Sequence, residues 1–489
     1  MPPPFLFAYR FFLQLTACAS AHILLGLGLL IVPAAWSDTL PPTVWKALQQ
    51  ADLPVSSMGV WVQEAGRKTS LLAVNADHVM NPASVMKLVT TYAALDLLGP
   101  AYTWKTDAYG GGVLSGGTLN GDLILKGYGD PDLTLENFWL LLRQLRQLGL
   151  RDIHGGLVLD QSYFELDPHD PAAFDREPLR AYNAGPQALL VNFNAIGVRL
   201  RPGDDGKTIQ ATPDPAPQNL NLFNQLEAAS GPCGDWREAI TTDVSRSGDV
   251  VSLTLRGRFP VSCGDKIVNL NLFPRDVDYV GSVFRQLWGE LGGQIGSAAK
   301  RGTAAPDARL LVRFESAPLA NMIRDINKYS NNVMARQLFL TLGAEQSGAP
   351  ATAAKGTAAV KKWLDSKKLD FPELVLENGS GLSRAERISP RHLGQLLVAA
   401  YNSPVQAEFE SSLPIAAVDG TMKKRLNDHA VAGHAHIKTG SLEGVRSVAG
   451  YVFDNKGRRM AVVAVVNHPR AGAARPALDA LLQWVYLRP

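Results

Sequence analysis

The chain has 489 residues, 46% of them hydrophobic and 19% charged, with a formal net charge of +3 and a mean hydropathy of -0.02. That composition excludes a globally disordered or collagen-like chain, and the small, dispersed positive charge gives no footprint for a nucleic-acid partner. The length exceeds what one core holds, so two or more domains are expected.

Arg10 is the only charge before Asp38, and an apolar stretch runs over residues 11–35. Small residues at Ala34, Ala35 and Ser37 fit a signal-peptidase site. Residues 1–37 are therefore expected to direct export to the periplasm, with cleavage near Ala34 or Ser37. The same stretch is long enough to span a bilayer as a retained anchor, so peripheral membrane association stays open. A lipoprotein box at Leu15-Thr16-Ala17-Cys18 is disfavoured, because the strongest apolar run follows Cys18. Export places the two remaining cysteines, Cys233 and Cys263, in an oxidising compartment, where a structural disulfide is expected. No zinc spacing is present. His434 and His436 share a strand face without a third ligand, and no metal is expected.

Further along, residues 58–64, a turn at 65–68 and residues 69–75 read as a hairpin. Asn81 and Pro82 then open a helix as N-cap and first helical residue, and Gly99-Pro100 ends it. The texture changes between about 102 and 305. A strand at 121–126, a helix at 135–148 and a strand at 155–160 form a strand–helix–strand unit. Beyond Asn192, short alternating strands such as 196–200 and 250–255, between loops rich in Pro, Asp and Gly, read as a small β-rich domain. Helices resume at 319–342, 352–368 and 390–400. Residues 436–454 and 459–467 are extended, and a helix at 474–487 closes the chain. The first and last strands are expected to share one antiparallel sheet covered by helices.

Ser84 and Lys87 lie three residues apart at a helix start, which places both side chains on one face. A serine hydroxyl is a poor nucleophile until a base takes its proton. A lysine serves if neutral, a state favoured by desolvation and by a second nearby cation. The helix N-terminus favours the developing oxyanion. Ser-x-x-Lys alone is a weak signal, expected about twice at average composition. A second copy, Ser297 to Lys300, reads as a solvated loop. Two further motifs add weight: Ser330-Asn331-Asn332 in a helical neighbourhood, and Lys438-Thr439-Gly440 opening an extended run. The order Ser-x-x-Lys, Ser-x-Asn, Lys-Thr-Gly is the signature of penicillin-recognising serine enzymes.

Longer segments narrow the likeness: the stretch from Asn81 to Asp96, Leu125-Lys126-Gly127-Tyr128-Gly129-Asp130-Pro131, Tyr182-Asn183-Ala184, Asn378-Gly379-Ser380-Gly381-Leu382-Ser383-Arg384 and Val418-Asp419-Gly420-Thr421. On these the chain resembles the D-alanyl-D-alanine carboxypeptidase/endopeptidase family, the class C penicillin-binding proteins, over roughly residues 42 to 488. The resemblance implies an α+β fold: a penicillin-binding/serine β-lactamase-like catalytic domain, an antiparallel sheet flanked by helices plus a helical lobe, with two inserted smaller domains. The expected boundaries are 38–103 and 306–489 for the catalytic part, 104–125 and 192–305 for the β-rich insertion, and 126–191 for an α/β domain nested in it.

The resemblance also implies roles. Ser84 attacks the carbonyl of the penultimate D-alanine, and Lys87 takes its proton. Ser330 relays a proton to the leaving amine, while Asn332 binds the peptide and helps hold Lys87. Lys438 supplies positive charge and, with Thr439 of the Lys-Thr-Gly motif that Gly440 completes, attracts the terminal carboxylate. The N–H groups of Ser84 and Ser441 form the oxyanion hole. Peptidoglycan peptides are the implied substrates and β-lactams the implied covalent inhibitors; no cofactor is implied. One departure is Asn331, where many relatives carry Asp. The alternatives are a class A-like β-lactamase, which would need a dedicated deacylating carboxylate, and a non-catalytic penicillin- or wall-binding protein.

Overall fold

The computed structural model describes residues 39–488; the expected export segment 1–37, with Cys18 and both cleavage sites, lies outside the described residues. A five-stranded antiparallel sheet carries the order Ala435–Leu442, Val445–Phe453, Arg459–Asn467, Met58–Glu64, Leu72–Val74. Its central strand Arg459–Asn467 is almost continuously apolar because both faces are covered. Alternation divides the side chains between two cores. Val60, Val62, Val462 and Val466 meet the helices Pro42–Gln50 and Arg475–Leu487 through Val44, Leu48, Leu478 and Leu481. Trp61, Tyr451, Val463 and Val465 face a helical lobe that includes Lys87–Leu98, Leu319–Lys328 and Asn332–Ser347. Among the described residues no helix is long and apolar enough to cross a membrane.

Two expected elements are broken. The extended run 436–454 is two strands, because Glu443-Gly444 makes a hairpin turn with Gly444 at φ +72° and Leu442 opposite Val445. The helical stretch 319–342 is interrupted at Tyr329-Ser330-Asn331. Ser330 adopts φ +58°, which ends one helix, and the Asn331 side chain accepts the Met334 N–H to cap the next.

The chain leaves the sheet-and-helix body at Trp104 and returns at Ser316. The Trp104 N–H donates to Ser316 Oγ at 3.1 Å, and the Ser316 N–H returns to the Trp104 carbonyl at 3.0 Å. Just beyond, Lys105–Gly110 pairs antiparallel with Arg309–Glu315. Those two strands complete a five-stranded sheet with Leu123–Gly127, Leu157–Asp160 and Lys300–Arg301. Phe138 of the helix Leu135–Gln147 and Phe284 of Asp276–Glu290 share its core. This pairing departs from the expected nesting. The α/β layer surrounds the β-rich strands of 196–270 instead of lying within them, and its last strand falls inside the span 306–489 expected to be catalytic. The partners are about 200 residues apart, beyond the reach of local periodicity. On this pairing we propose a β-rich unit over 196–270, nested in an α/β unit of 105–191 and 276–315.

Within the β-rich strands, Leu220–Ala229 runs parallel to Val250–Pro260, with Ala229 opposite Pro260. A disulfide between Cys233 and Cys263 ties the chain just past those two ends.

Candidate active site

Asn81 builds the turn ahead of Ser84. Its Oδ1 accepts the Ala83 N–H at 2.9 Å and its Nδ2 donates to the Ser383 carbonyl at 2.9 Å. Its own backbone is clasped by Asn467, at the end of the Arg459–Asn467 strand: the Asn81 N–H donates to Asn467 Oδ1 at 2.8 Å and Asn467 Nδ2 to the Asn81 carbonyl at 3.0 Å. Ala83 is forced to φ +50°, a strain on the order of 1–3 kcal/mol that the surrounding bonds over-determine. Ala83–Met86 is a 3₁₀ turn with Pro82 as its N-cap, and the α-helix begins only at Lys87. Pro82 is therefore not the first helical residue. Ser84 emerges at a cleft of about 1160 Å³ that Ser330, Asn332, Thr439 and Ser441 also line.

Lys87 is wholly buried beneath that cleft. Its Nζ lies 3.0 Å from Ser84 Oγ, 2.5 Å from Asn332 Oδ1 and 2.5 Å from the Ser380 carbonyl oxygen. The last two are acceptors, and a neutral lysine has two N–H groups and one lone pair. In the neutral form those two acceptors would take both N–H groups and leave the lone pair toward the Ser84 hydroxyl. Burial, first, and then the Lys438 ammonium hold Lys87 well below the ordinary lysine range; Glu386 opposes this and Arg336 adds to it.

Lys438 is also fully buried, and burial lowers it to about 7. Its Nζ donates to Ser330 Oγ at 2.8 Å and to the Thr439 carbonyl at 2.7 Å. Thr439 Oγ1 and Thr421 Oγ1 lie 2.8 Å apart on the cleft wall. Gly440 lets this strand close on the Ser84 turn: a Cβ there would lie 2.2 Å from Ser447 Oγ and 2.7 Å from the Pro82 carbonyl. From the other side Gly381, at φ +77°, packs where a Cβ would meet the Ala83 carbonyl at 2.0 Å.

The three motifs thus converge, with Asn331 beside them as a helix cap, a role asparagine fills as well as aspartate. The second Ser-x-x-Lys is elsewhere, its Lys300 exposed and paired with Asp122 at 2.8 Å. Asp419 is engaged by Lys328 at 2.7 Å. Arg384 lines the cleft, pairs with Glu443 at 3.0 Å and stacks over the Phe174 ring at 5.0 Å. Local motifs give no sign of the Ser380 carbonyl, a backbone atom any residue would offer, nor of Phe174 and Asp175, which reach the cleft from the insertion. A hydroxyl beside a buried lysine, next to a second hydroxyl on another buried lysine, has the groups that acyl transfer needs.

Residues 42–485 match the model of the D-Ala-D-Ala carboxypeptidase 3 (S13) family. The chain is 26% identical to the D-alanyl-D-alanine carboxypeptidase DacB of Haemophilus influenzae over 416 residues, 84% of this chain and 85% of that one. It is 27% identical to a D-alanyl-D-alanine carboxypeptidase of Actinomadura sp. over 447 residues, 88% of this chain and 81% of that one. Among solved structures it resembles Haemophilus influenzae penicillin binding protein 4 (dacB) complexed with a novel β-lactam. That likeness has a TM-score of 0.69 and 25% identity over 90% of this chain and 99% of that one.

Proposed function

The chain belongs to the D-Ala-D-Ala carboxypeptidase 3 (S13) family, and we propose that Ser84 is its acylated nucleophile and Lys87 the base that activates it. The protein is a serine DD-peptidase that processes cell-wall peptides through an acyl-enzyme and binds penicillin covalently. The observation that carries the residue assignment is the buried Lys87 Nζ 3.0 Å from Ser84 Oγ, with two further acceptor oxygens that would take both N–H groups of its neutral form.

Lys87 takes the Ser84 proton as Oγ adds to the carbonyl of the penultimate D-alanine. The Ser84 and Ser441 N–H groups receive the oxyanion; removing one such donor costs about a hundred- to a thousandfold in rate. Ser330, held by Lys438, passes a proton to the leaving amine, and Asn332 binds the peptide. Thr439 and the Lys438 charge hold the terminal carboxylate. The acyl-enzyme is then hydrolysed by water. A β-lactamase would need a free carboxylate over the acyl bond, whereas those lining the cleft are occupied. Asp175 accepts from Tyr182 and Asn183 at 2.8 Å each, and Glu443 pairs with Arg384. The site of action we propose is the periplasm, reached through the export segment, with peripheral membrane contact where that segment is retained.

A fluorescent penicillin followed by peptide mapping tests the assignment. The tag is expected on Ser84; a tag on Ser297, or none, overturns it. Release of D-alanine from a pentapeptide-bearing muropeptide separates an enzyme from a binder.

A further inference from the structure

Glu386 is fully buried and belongs to no motif that the chemistry above uses. One of its oxygens, Oε1, accepts three consecutive backbone N–H groups, those of Glu377 at 3.2 Å, Asn378 at 3.0 Å and Gly379 at 3.0 Å. Such converging amides form a nest around an anion. The next residue along the loop is Ser380, whose carbonyl holds Lys87 Nζ. Gly379 ties the same loop to the catalytic helix, its carbonyl accepting from Thr90 Oγ1 at 2.6 Å. The carboxylate thus sets the peptide that directs one N–H of Lys87 and, with it, the lone pair.

Anchoring alone would not require a carboxylate. A glutamine oxygen accepts the same amides without the cost of burying a charge. The second oxygen, Oε2, is buried with no hydrogen-bond partner among the described residues, so half of the carboxylate contributes nothing to the anchor. What Glu386 supplies beyond the anchor is, in its ionised form, a buried negative charge among buried cations; burial pushes its carboxyl up, while the three amides and Lys87 hold it down. Lys87 faces it from the catalytic helix, and Arg336, 8% exposed, from the helix Asn332–Ser347. Glu377 on its own loop also acts on Arg336, and Lys438 adds positive charge behind Lys87. Without an anion here, a proton arriving on Lys87 would join two buried cations with no buried counter-charge beside it.

We propose that Glu386 is a positioning residue for acylation: it fixes the Ser380 carbonyl on Lys87, and its charge stabilises the proton that Lys87 takes from Ser84. The inference rests on the Ser84–Lys87 assignment, and the two fail separately. If Lys87→Met acylates at the wild-type rate, the assignment itself is wrong, whatever Glu386 does.

The experiment measures penicillin acylation across pH 5–10 for the full chain and for Glu386→Gln and Glu386→Asp. Glutamine keeps an acceptor for the amides and removes the charge. Lys87 then loses its proton more readily, so the acidic limb moves down by about one pH unit. A base weaker by that much lowers the plateau about threefold. Aspartate keeps the charge and shortens the reach, so its plateau falls while its acidic limb stays at the wild-type position. If Glu386→Gln keeps the wild-type limb, or if Glu386→Asp shifts down as a neutral variant should, the charge has no such role and the proposal is overturned. If Glu386→Gln gives no folded protein, Glu386→Asp decides on both readouts: a lowered plateau with an unmoved limb supports the proposal, and a wild-type plateau or a shifted limb overturns it.

Discussion

The sheet beneath the cleft is covered by helices on both faces, and its central strands bury nearly every residue. The strands of the inserted β-rich part are clothed differently. Leu220–Ala229 and Ile240–Ser247 leave most of their residues partly or fully exposed, and cross-strand ion pairs such as Arg258–Glu227 and Arg201–Asp265 lie at the surface. The first region has dispersion and hydrophobic burial to spare, and it holds two wholly buried lysines and a buried carboxylate. The second has a thin core, and a covalent tie does part of the work that packing does elsewhere. A dense two-sided core tolerates costly charge where chemistry needs it, while a one-sided sheet must be held by other means.

If that contrast is right, the largest effects come from touching the buried charge. Lys87→Met keeps the volume and removes the base, so penicillin acylation should fall about a hundred- to ten-thousandfold with the circular dichroism spectrum unchanged. A wild-type rate would break the comparison at its centre. Lys438→Gln comes next. It removes the ammonium that depresses Lys87, so Lys87 rises and the acidic limb of acylation moves to higher pH. In the wild type, Lys438 loses its proton as pH passes about 7. The kcat/KM for a carboxylate-terminated peptide should therefore decline on the alkaline side, and Lys438→Gln should lack that decline.

In the other region Cys233→Ser should lower the stability of the β-rich part by about 3–4 kcal/mol in the chain-entropy model of a 30-residue closure. Limited proteolysis would read this as faster cleavage within 196–270, with acylation within about twofold of wild type. Slowed acylation of similar size would mean that the two regions are not independent. The smallest effect belongs to Arg258→Ala. Its ion pair with Glu227 has both side chains about three-quarters exposed, so denaturation midpoints should place the change below about 1 kcal/mol.

The residues proposed to carry the chemistry lie in short motifs that the chain itself displays. Ser84 with Lys87, Ser330 with Asn332, and Lys438-Thr439-Gly440 are each fixed by spacing on a single turn or strand. The covering helices, the first hairpin and the last strands follow from periodicity. Other features depend on pairings that no local window contains. The α/β layer of the insertion includes Lys105–Gly110 paired with Arg309–Glu315, a pairing on which the proposed boundaries rest. The break at Ser330 depends on one residue in a left-handed conformation, which helical periodicity on either side conceals. Glu386 sits six residues beyond Ser380 and looks like any charged loop residue until the amides of 377–379 turn toward it.

The clasp between Asn81 and Asn467 joins positions 386 residues apart in the chain. It sets an order in time. A chain emerging from its N-terminus makes the Ser84 turn early and its partner strand almost last, and the insertion lies between them. Contacts of such separation form slowly, because the intervening chain must first be gathered in. The insertion can be gathered early, since its two ends meet at Trp104 and Ser316 and its own pairings close without the rest. The strand Arg459–Asn467 then slides in beside Met58–Glu64 and fixes the turn ahead of the serine. A chain that stops short of Asn467 would carry all three motifs and lack one of the clasps on the turn ahead of Ser84.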